Sequence, residues 1–284
     1  LPPAWSLPGA ATFSMREMTR MARQPGVIAF SGGTPSEEFL PVEALRHAIN
    51  TVLDRDGAAA VDYEETEGYP PLREHIAEYV ASLGIRTHPD EILITGGAQQ
   101  ALDLVVQALL GEGDTLVTSN PTYLGILDIA HVRRVIPVGV PVDGDGMRLD
   151  ELETIIQARR PGLIYVAPTF HNPTGTVMPI HRRRQLLALA KRYNVPILED
   201  AVYHELGYHG AAPPPLKALD EDRIVLHASG FSKILLPGTR TGYLIAGGPL
   251  RDRLVRVKQA ADVCTPGLNQ RAMHVYLASG ALAG

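Results

Sequence analysis

Four polar clusters stand at the ends of short apolar runs. In Ile94-Thr95-Gly96-Gly97-Ala98-Gln99-Gln100, two glycines let the backbone approach a ligand. The start of a following helix offers unpaired N–H groups to an anion. Asn172-Pro173-Thr174-Gly175 is good turn chemistry after an apolar run. Glu199-Asp200 closes another run, where an acidic group either caps a helix or sets a carboxylate against a cationic ligand atom. Ser232-Lys233 follows a third run, with Arg240 seven residues beyond the lysine. Taken singly, each cluster has an ordinary reading as a glycine turn, a β-turn, a helix cap or an exposed loop. The glycine turn is neither a GxGxxG nor a GxxxxGK[S/T] phosphate loop.

The elements that must position these clusters follow a repeating beat of strand and helix. Strands are expected at 27–30, 91–95, 115–118, 135–140, 163–167, 196–199, 224–228 and 242–246. Helices are expected at 41–56, 71–83, 98–110, 150–159, 181–193, 250–261 and 269–278. Runs such as LIYVA and VPILE are apolar on both faces, as in parallel strands covered by helices on both sides. The pattern implies an α/β fold of three layers, a mostly parallel sheet between helices. Ligands bind beyond the C-terminal ends of the strands in such sheets, which is where the clusters fall. Residues 1–35, rich in proline and glycine at their start, read as an N-terminal arm or linker, and residues 36–284 as the ligand-binding domain. The basic run Arg182-Arg183-Arg184 reads as a solvated helix face. His171, beside Asn172, is a further candidate for the pocket wall.

The ordered set is far more specific than its members: GGAQQ, NPTY, NPTG, EDxxY, SGFSK, PGTRTGY. With it the chain resembles the fold-type-I pyridoxal-phosphate enzymes, aminotransferase class I/II, from about Arg16 onward. It is most similar to the branch with 2-aminoadipate and kynurenine aminotransferases. The resemblance implies the large domain of that fold, with pyridoxal 5'-phosphate as cofactor. It implies that Lys233 forms the Schiff base with the cofactor and moves protons, since a neutral amine is both nucleophile and base. Asp200 is implied as the partner of the pyridine nitrogen, and Asn172 and Tyr203 as partners of the ring hydroxyl. Tyr123 is implied against the ring face. The phosphate is implied on Gly97, Ala98 and Gln99, with Ser232 and Arg240 adding a hydroxyl and a charge. Tyr63, in VDYEETEGY, is implied to reach the cofactor phosphate of the other subunit of a homodimer. Arg16 and Gly33 match positions near the substrate.

Two departures from the family stand out. Members often carry a serine at Ala98 and a serine or threonine at Gly230. The family also has a small C-terminal domain whose arginine grips the substrate α-carboxylate, and this chain ends at Gly284, before that region.

Composition narrows the alternatives. With 45% hydrophobic and 20% charged residues, the chain has apolar mass for a sizeable core. A formal charge of −5 argues against a nucleic-acid surface on this segment. One cysteine excludes an intrachain disulfide and fits a cytoplasmic location. No apolar run reaches membrane-span length, and the ten histidines have no metal-ligand spacing. The leading expectation is transfer of an amino group from an amino acid to a 2-oxo acid. The alternative is an effector-sensing domain of a GntR/MocR-type transcriptional regulator, with DNA as a partner only through a separate N-terminal domain. Other reactions of the same cofactor, such as β-elimination or decarboxylation, stay open.

Overall fold

The computed structural model describes residues 15–30, 32–208 and 210–280, with side chains from Met18 onward. In chain order the helices are α1 (Met15–Ala22), α2 (Val42–Asp56), α3 (Pro70–Ser82), α4 (Ala98–Leu109), α5 (Leu124–Val132), α6 (Leu149–Arg159), α7 (Ile180–Tyr193), α8 (Pro249–Asp262) and α9 (Gly267–Ala278). The strands are β1 (Ile92–Thr95), β2 (Thr115–Asn120), β3 (Ile136–Asp143), β4 (Gly146–Met147), β5 (Leu163–Val166), β6 (Ile197–Asp200), β7 (Val225–Gly230) and β8 (Gly242–Ile245). They form one sheet in the order β1-β8-β7-β6-β5-β2-β3-β4.

The centre is parallel: β3, β2, β5, β6 and β7 run the same way. The edges are not. β8 lies antiparallel between β7 and β1, and β4 turns back on β3. The reason is connection length. Parallel neighbours need a long crossover, usually an α-helix, and residues 231–241 hold only a single 3-10 turn, so the chain reverses into β8. Every residue of β1, β5, β6, β7 and β8 is buried.

Alternating side chains feed two helical layers. Leu163, Leu198, Leu226 and Leu244 pack with α4, α5 and α8 through Leu104, Val105, Ile126 and Leu254. Their neighbours point the other way. Ile164, Ile197 and Val225 meet Leu152 and Leu186 of α6 and α7. Tyr243 and Ile245 meet Leu72, Ile76 and Met273 of α3 and α9. This period-two split fixes strand register, because a slip of one residue would exchange the two faces.

Three readings of the sequence change. Residues 27–30 form no strand: they pair with no neighbour, and Phe30 is 99% exposed. The helix α5 was hidden because LGILDIAHV is apolar nearly all round and lacks a helical stripe. The basic run on α7 is not a solvated face throughout, since Arg183 is 0% exposed. Its guanidinium donates to the carbonyls of Met178, Pro168 and Pro214 and to Thr169 Oγ1, at 2.8–3.1 Å. It thereby ties α7 to the segment after β5 that leads to Asn172. Arg183→Met keeps most of the volume but leaves buried carbonyls without donors. The expected loss is about 3 kcal/mol or more of stability, measured by chemical denaturation.

Candidate active site

The parallel strands end on one cleft of about 770 Å³. Its walls come from the start of α4 after β1 (Ala98, Gln99), the loop after β2 (Thr122, Tyr123), and Asn172 beyond β5. Asp200 and Tyr203 at the end of β6 and Ser232 and Lys233 beyond β7 complete them. Each of the four polar clusters is thus carried to the place where a sheet of this kind binds ligands.

Asp200 is the last residue of β6 and is 6% exposed. Its Oδ2 accepts from Tyr165 Oη at 2.9 Å and its Oδ1 from the Val202 amide at 3.4 Å. No ion pair to it is present among the described residues. Burial raises its carboxyl above the usual range, against the two hydrogen bonds and the charges of His227 and Lys233. A buried acid in this state fits a cationic ligand atom, which would supply the missing charge. Glu199, its neighbour, points to the opposite face. Burial pushes Glu199 up, but His227 at 2.8 Å and the amides of Leu216 and Lys217 outweigh that and hold it below the usual range. The carboxylate pair of the sequence therefore divides, with Asp200 in the cleft and Glu199 locked in the sheet.

Lys233 Nζ donates to the carbonyls of Gly32 and Gly33 at 2.9 and 3.0 Å and lies 5.7 Å from the Tyr203 ring centre. Burial lowers its pKa, with Asp200 opposing and Arg240 assisting. A larger fraction is then the neutral amine, the form that attacks carbon or takes a proton. A Cβ on Gly33 would lie 3.6 Å from Tyr203 Oη and 3.7 Å from Lys233 Nζ, so the glycine lines the cleft beside these two groups. Asn172 Nδ2 donates to Tyr203 Oη at 3.4 Å. Tyr123 Oη donates to Gln99 Oε1 at 3.0 Å, and Gln99 Nε2 holds the Gly125 carbonyl at 3.1 Å. These bonds fix the Tyr123 ring on the cleft wall. Burial, then Asp200, pushes the Tyr123 phenol up to about 12, so it keeps its proton.

An anion site adjoins this group. Gly97 precedes α4 at φ 86°, and no acceptor among the described residues takes the Ala98 or Gln99 amide. Helix starts leave such amides free, with the helix dipole favouring negative charge. Arg240 donates to Ser232 Oγ at 3.2 Å and to the Gly96 carbonyl at 3.1 Å. The turn is built on close backbone approach. A Cβ on Gly242 would come within 2.6 Å of Gly97 C and 2.8 Å of Ala98 N. A Cβ on Gly230 would meet Gly242 Cα at 3.1 Å and the Thr241 carbonyl at 3.2 Å, a tight fit that a small shift of the neighbouring backbone would relieve. Gly242→Ala is expected to push the Gly97–Ala98 turn aside, lowering stability by about 1–3 kcal/mol. Binding of inorganic phosphate and of phosphorylated ligands, followed by calorimetry, falls with it.

The remaining expected residues lie elsewhere. Tyr63 is 83% exposed and is not among the residues lining the cleft. Arg16 lies in α1, and its side chain is outside the described residues. His171 lines a small hollow behind the cleft, held by Ser119 at 2.8 Å and Thr174 at 2.7 Å. It links β2 to the loop after β5 and is not among the residues lining the cleft. Tyr165 and Thr122 line the cleft and were not singled out in the sequence. The only signal for Tyr165 was a polar-tipped ring inside an otherwise aliphatic buried strand. Among the described residues no cluster of histidine, cysteine or acidic groups is arranged to hold a metal, and no helix is long and apolar enough to cross a membrane.

Comparison with known proteins gives a consistent picture. The family described as "Aminotransferase class I and II" matches residues 25–277. The 2-aminoadipate transaminase of Thermus thermophilus is 36% identical over 94% of this chain and 67% of its own length. The structure of α-aminoadipate aminotransferase LysN from Thermus thermophilus, complexed with N-(5'-phosphopyridoxyl)-L-leucine, superposes with a TM-score of 0.86. The identity is 36%, over 93% of this chain and 67% of that one. The HTH-type transcriptional regulator YdfD of Bacillus subtilis is 32% identical over 94% of this chain but only 55% of its own length.

Proposed function

Because the chain belongs to the class I and II aminotransferase family, we propose that its cleft transfers an amino group from an amino acid to a 2-oxo acid with pyridoxal 5'-phosphate as cofactor. One observation carries the reading: a lysine amine, a buried carboxylate without an ion pair among the described residues, and an anion site of helix amides and arginine share a single cleft. Those three features match the aldehyde, the ring nitrogen and the phosphate of the cofactor.

When bound, the cofactor supplies an electron sink for the substrate carbon that loses its proton. The protein's own groups do the rest. Lys233 would hold the cofactor at its aldehyde carbon, then carry a proton between that carbon and the substrate Cα. Asp200 would face the ring nitrogen and keep its proton in place. Asn172 and Tyr203 would hold the ring hydroxyl, and Tyr123 would cover one ring face. The amides of Ala98 and Gln99, together with Ser232 and Arg240, would hold the phosphate, with Arg240 supplying the permanent charge. Gly33, beside Lys233, would leave room for the substrate, and Arg16 would approach it from the N-terminal arm. Exposed apolar groups at Ile28, Phe30 and Phe39, with Tyr63, support a homodimer in which Tyr63 completes the partner's phosphate site. The reading implies a cytoplasmic protein.

The similarity to YdfD favours a second reading, a domain that binds the same cofactor and senses an effector. Visible absorption of the purified protein with pyridoxal phosphate separates the two. A band that bleaches with an amino acid and returns with a 2-oxo acid is the expected result. A band that persists unchanged with every amino acid tried supports the sensor. No band at all overturns both.

A further inference from the structure

We propose that Tyr165 is a positioning residue of this site, its buried phenol holding Asp200 ionised and oriented toward the cleft. The inference rests on the aminotransferase reading above. Tyr165 is central in β5 and 0% exposed, paired in register with Leu198 of β6. Its ring packs in the layer under α4 and α5, while its hydroxyl emerges at the cleft floor, 2.9 Å from Asp200 Oδ2.

The direction of this bond is settled by chemistry. Burial, then the charge of Asp200, pushes the phenol well above its usual range, so it stays protonated and donates. The carboxylate is the acceptor, and a charge-assisted bond of this kind is worth about twice a neutral one. The groups around Asp200 come from several elements. The Val202 amide lies at 3.4 Å on its own loop, His227 stands on β7, and Lys233 lies beyond β7. Tyr123 and Tyr203 face it from the loops after β2 and β6. Burial opposes ionisation, and among the influences that favour it the Tyr165 bond is the largest. Losing that bond leaves a carboxyl that takes up a proton more readily and turns more freely. Both changes weaken its hold on a cationic ring nitrogen.

A buried tyrosine needs some hydrogen-bond partner in any case, so the test must separate function from simple satisfaction. Tyr165→Phe removes one oxygen and leaves the packing volume nearly unchanged. In the intact protein without cofactor, the carboxylic C=O stretch of Asp200 is followed by infrared difference spectroscopy across pH, with Asp200→Asn as the blank. The midpoint is expected to move upward in Tyr165→Phe. In the holoprotein, kcat is expected to fall about 10- to 100-fold, with KM for the amino acid changing less than about threefold. In the Asp200→Asn background the same change should cost less than about twofold, because its effect runs through Asp200. An unmoved midpoint, or full multiplication of the two losses in the double variant, overturns the proposal. If Tyr165→Phe does not fold, 3-fluorotyrosine at position 165 serves instead. Its stronger donor should move the midpoint downward, and no movement again overturns the proposal. Failure of wild type to bind pyridoxal phosphate would count against the aminotransferase reading, while the cofactor-free titration still scores the Tyr165–Asp200 coupling.

Discussion

Lys233→Ala is expected to give a folded protein that lacks the visible absorption of bound cofactor and loses turnover by about 10⁴-fold or more. The expectation of an intact fold follows from the contacts. Lys233 touches two glycine carbonyls at the open side of the cleft, and removing such bonds costs about 1 kcal/mol each. The large functional loss follows from chemistry. No other lysine lines the cleft among the described residues. Arg240 cannot substitute, because a guanidinium stays protonated and is engaged with Ser232 and Gly96. Lys233→Arg sharpens the test, since it keeps the positive charge and the means to reach the two carbonyls. If charge alone mattered, Lys233→Arg would retain function. The nucleophile assignment requires it to be as inactive as alanine. The pH dependence has a definite sign. Burial lowers the Lys233 pKa, so the neutral amine is more abundant near neutrality than on an ordinary lysine. Cofactor capture should therefore survive at lower pH than a solvent-exposed lysine would allow, then fall as acid protonates the amine. A wild-type spectrum retained by Lys233→Ala would sink the assignment.

Much of this site was legible because strand ends are legible. An apolar run that stops at a polar cluster says where a strand ends, and four such ends point Gly97, Asn172, Asp200 and Lys233 to one side of the sheet. The parts that were not legible share a cause: they depend on partners distant in sequence. Tyr165 looks like any strand hydrophobe until β6 is set beside β5 and Asp200 falls within reach. Arg183 lies in a basic run, and only the fold surrounds it with four oxygen acceptors. Residues 27–30 have β-branched and aromatic side chains, yet a strand exists only where a neighbour offers a ladder. The antiparallel course of β8 was hidden for a related reason, since local pattern reports two-sided burial but not direction. The division of Glu199 from Asp200 is the clearest case. The alternation of a strand requires them to face opposite ways, but only the positions of His227 and the cleft reveal which one faces the cleft.

Asp200→Asn is expected to change activity and stability in opposite directions. Loss of the negative charge opposite the ring nitrogen should lower turnover by about 10²–10³-fold, with a smaller loss in cofactor affinity because the phosphate site is untouched. Stability without cofactor should respond the other way, and the sign follows from linkage. In the folded chain, burial raises the Asp200 pKa above its unfolded value. Between those two values the folded state holds a proton that the unfolded state has released, so this group's contribution to stability falls as pH rises through the window. Above the window the penalty for ionising a buried acid is fully present. Asparagine carries no such penalty and still offers Tyr165 a carbonyl acceptor. Thermal melts of the cofactor-free proteins should therefore show Asp200→Asn more stable than wild type at neutral pH. The gap should close as the pH falls below the ordinary carboxylate range. Adding pyridoxal phosphate should restore much of the wild-type deficit, since a cationic partner lowers the cost of the buried charge. A variant less stable than wild type at neutral pH would mean that Asp200 contributes more through its bonds to Tyr165 and Val202 than its burial costs. The carboxylate would then be a structural group first, and the case for its pairing with the ring nitrogen would rest on the activity loss alone.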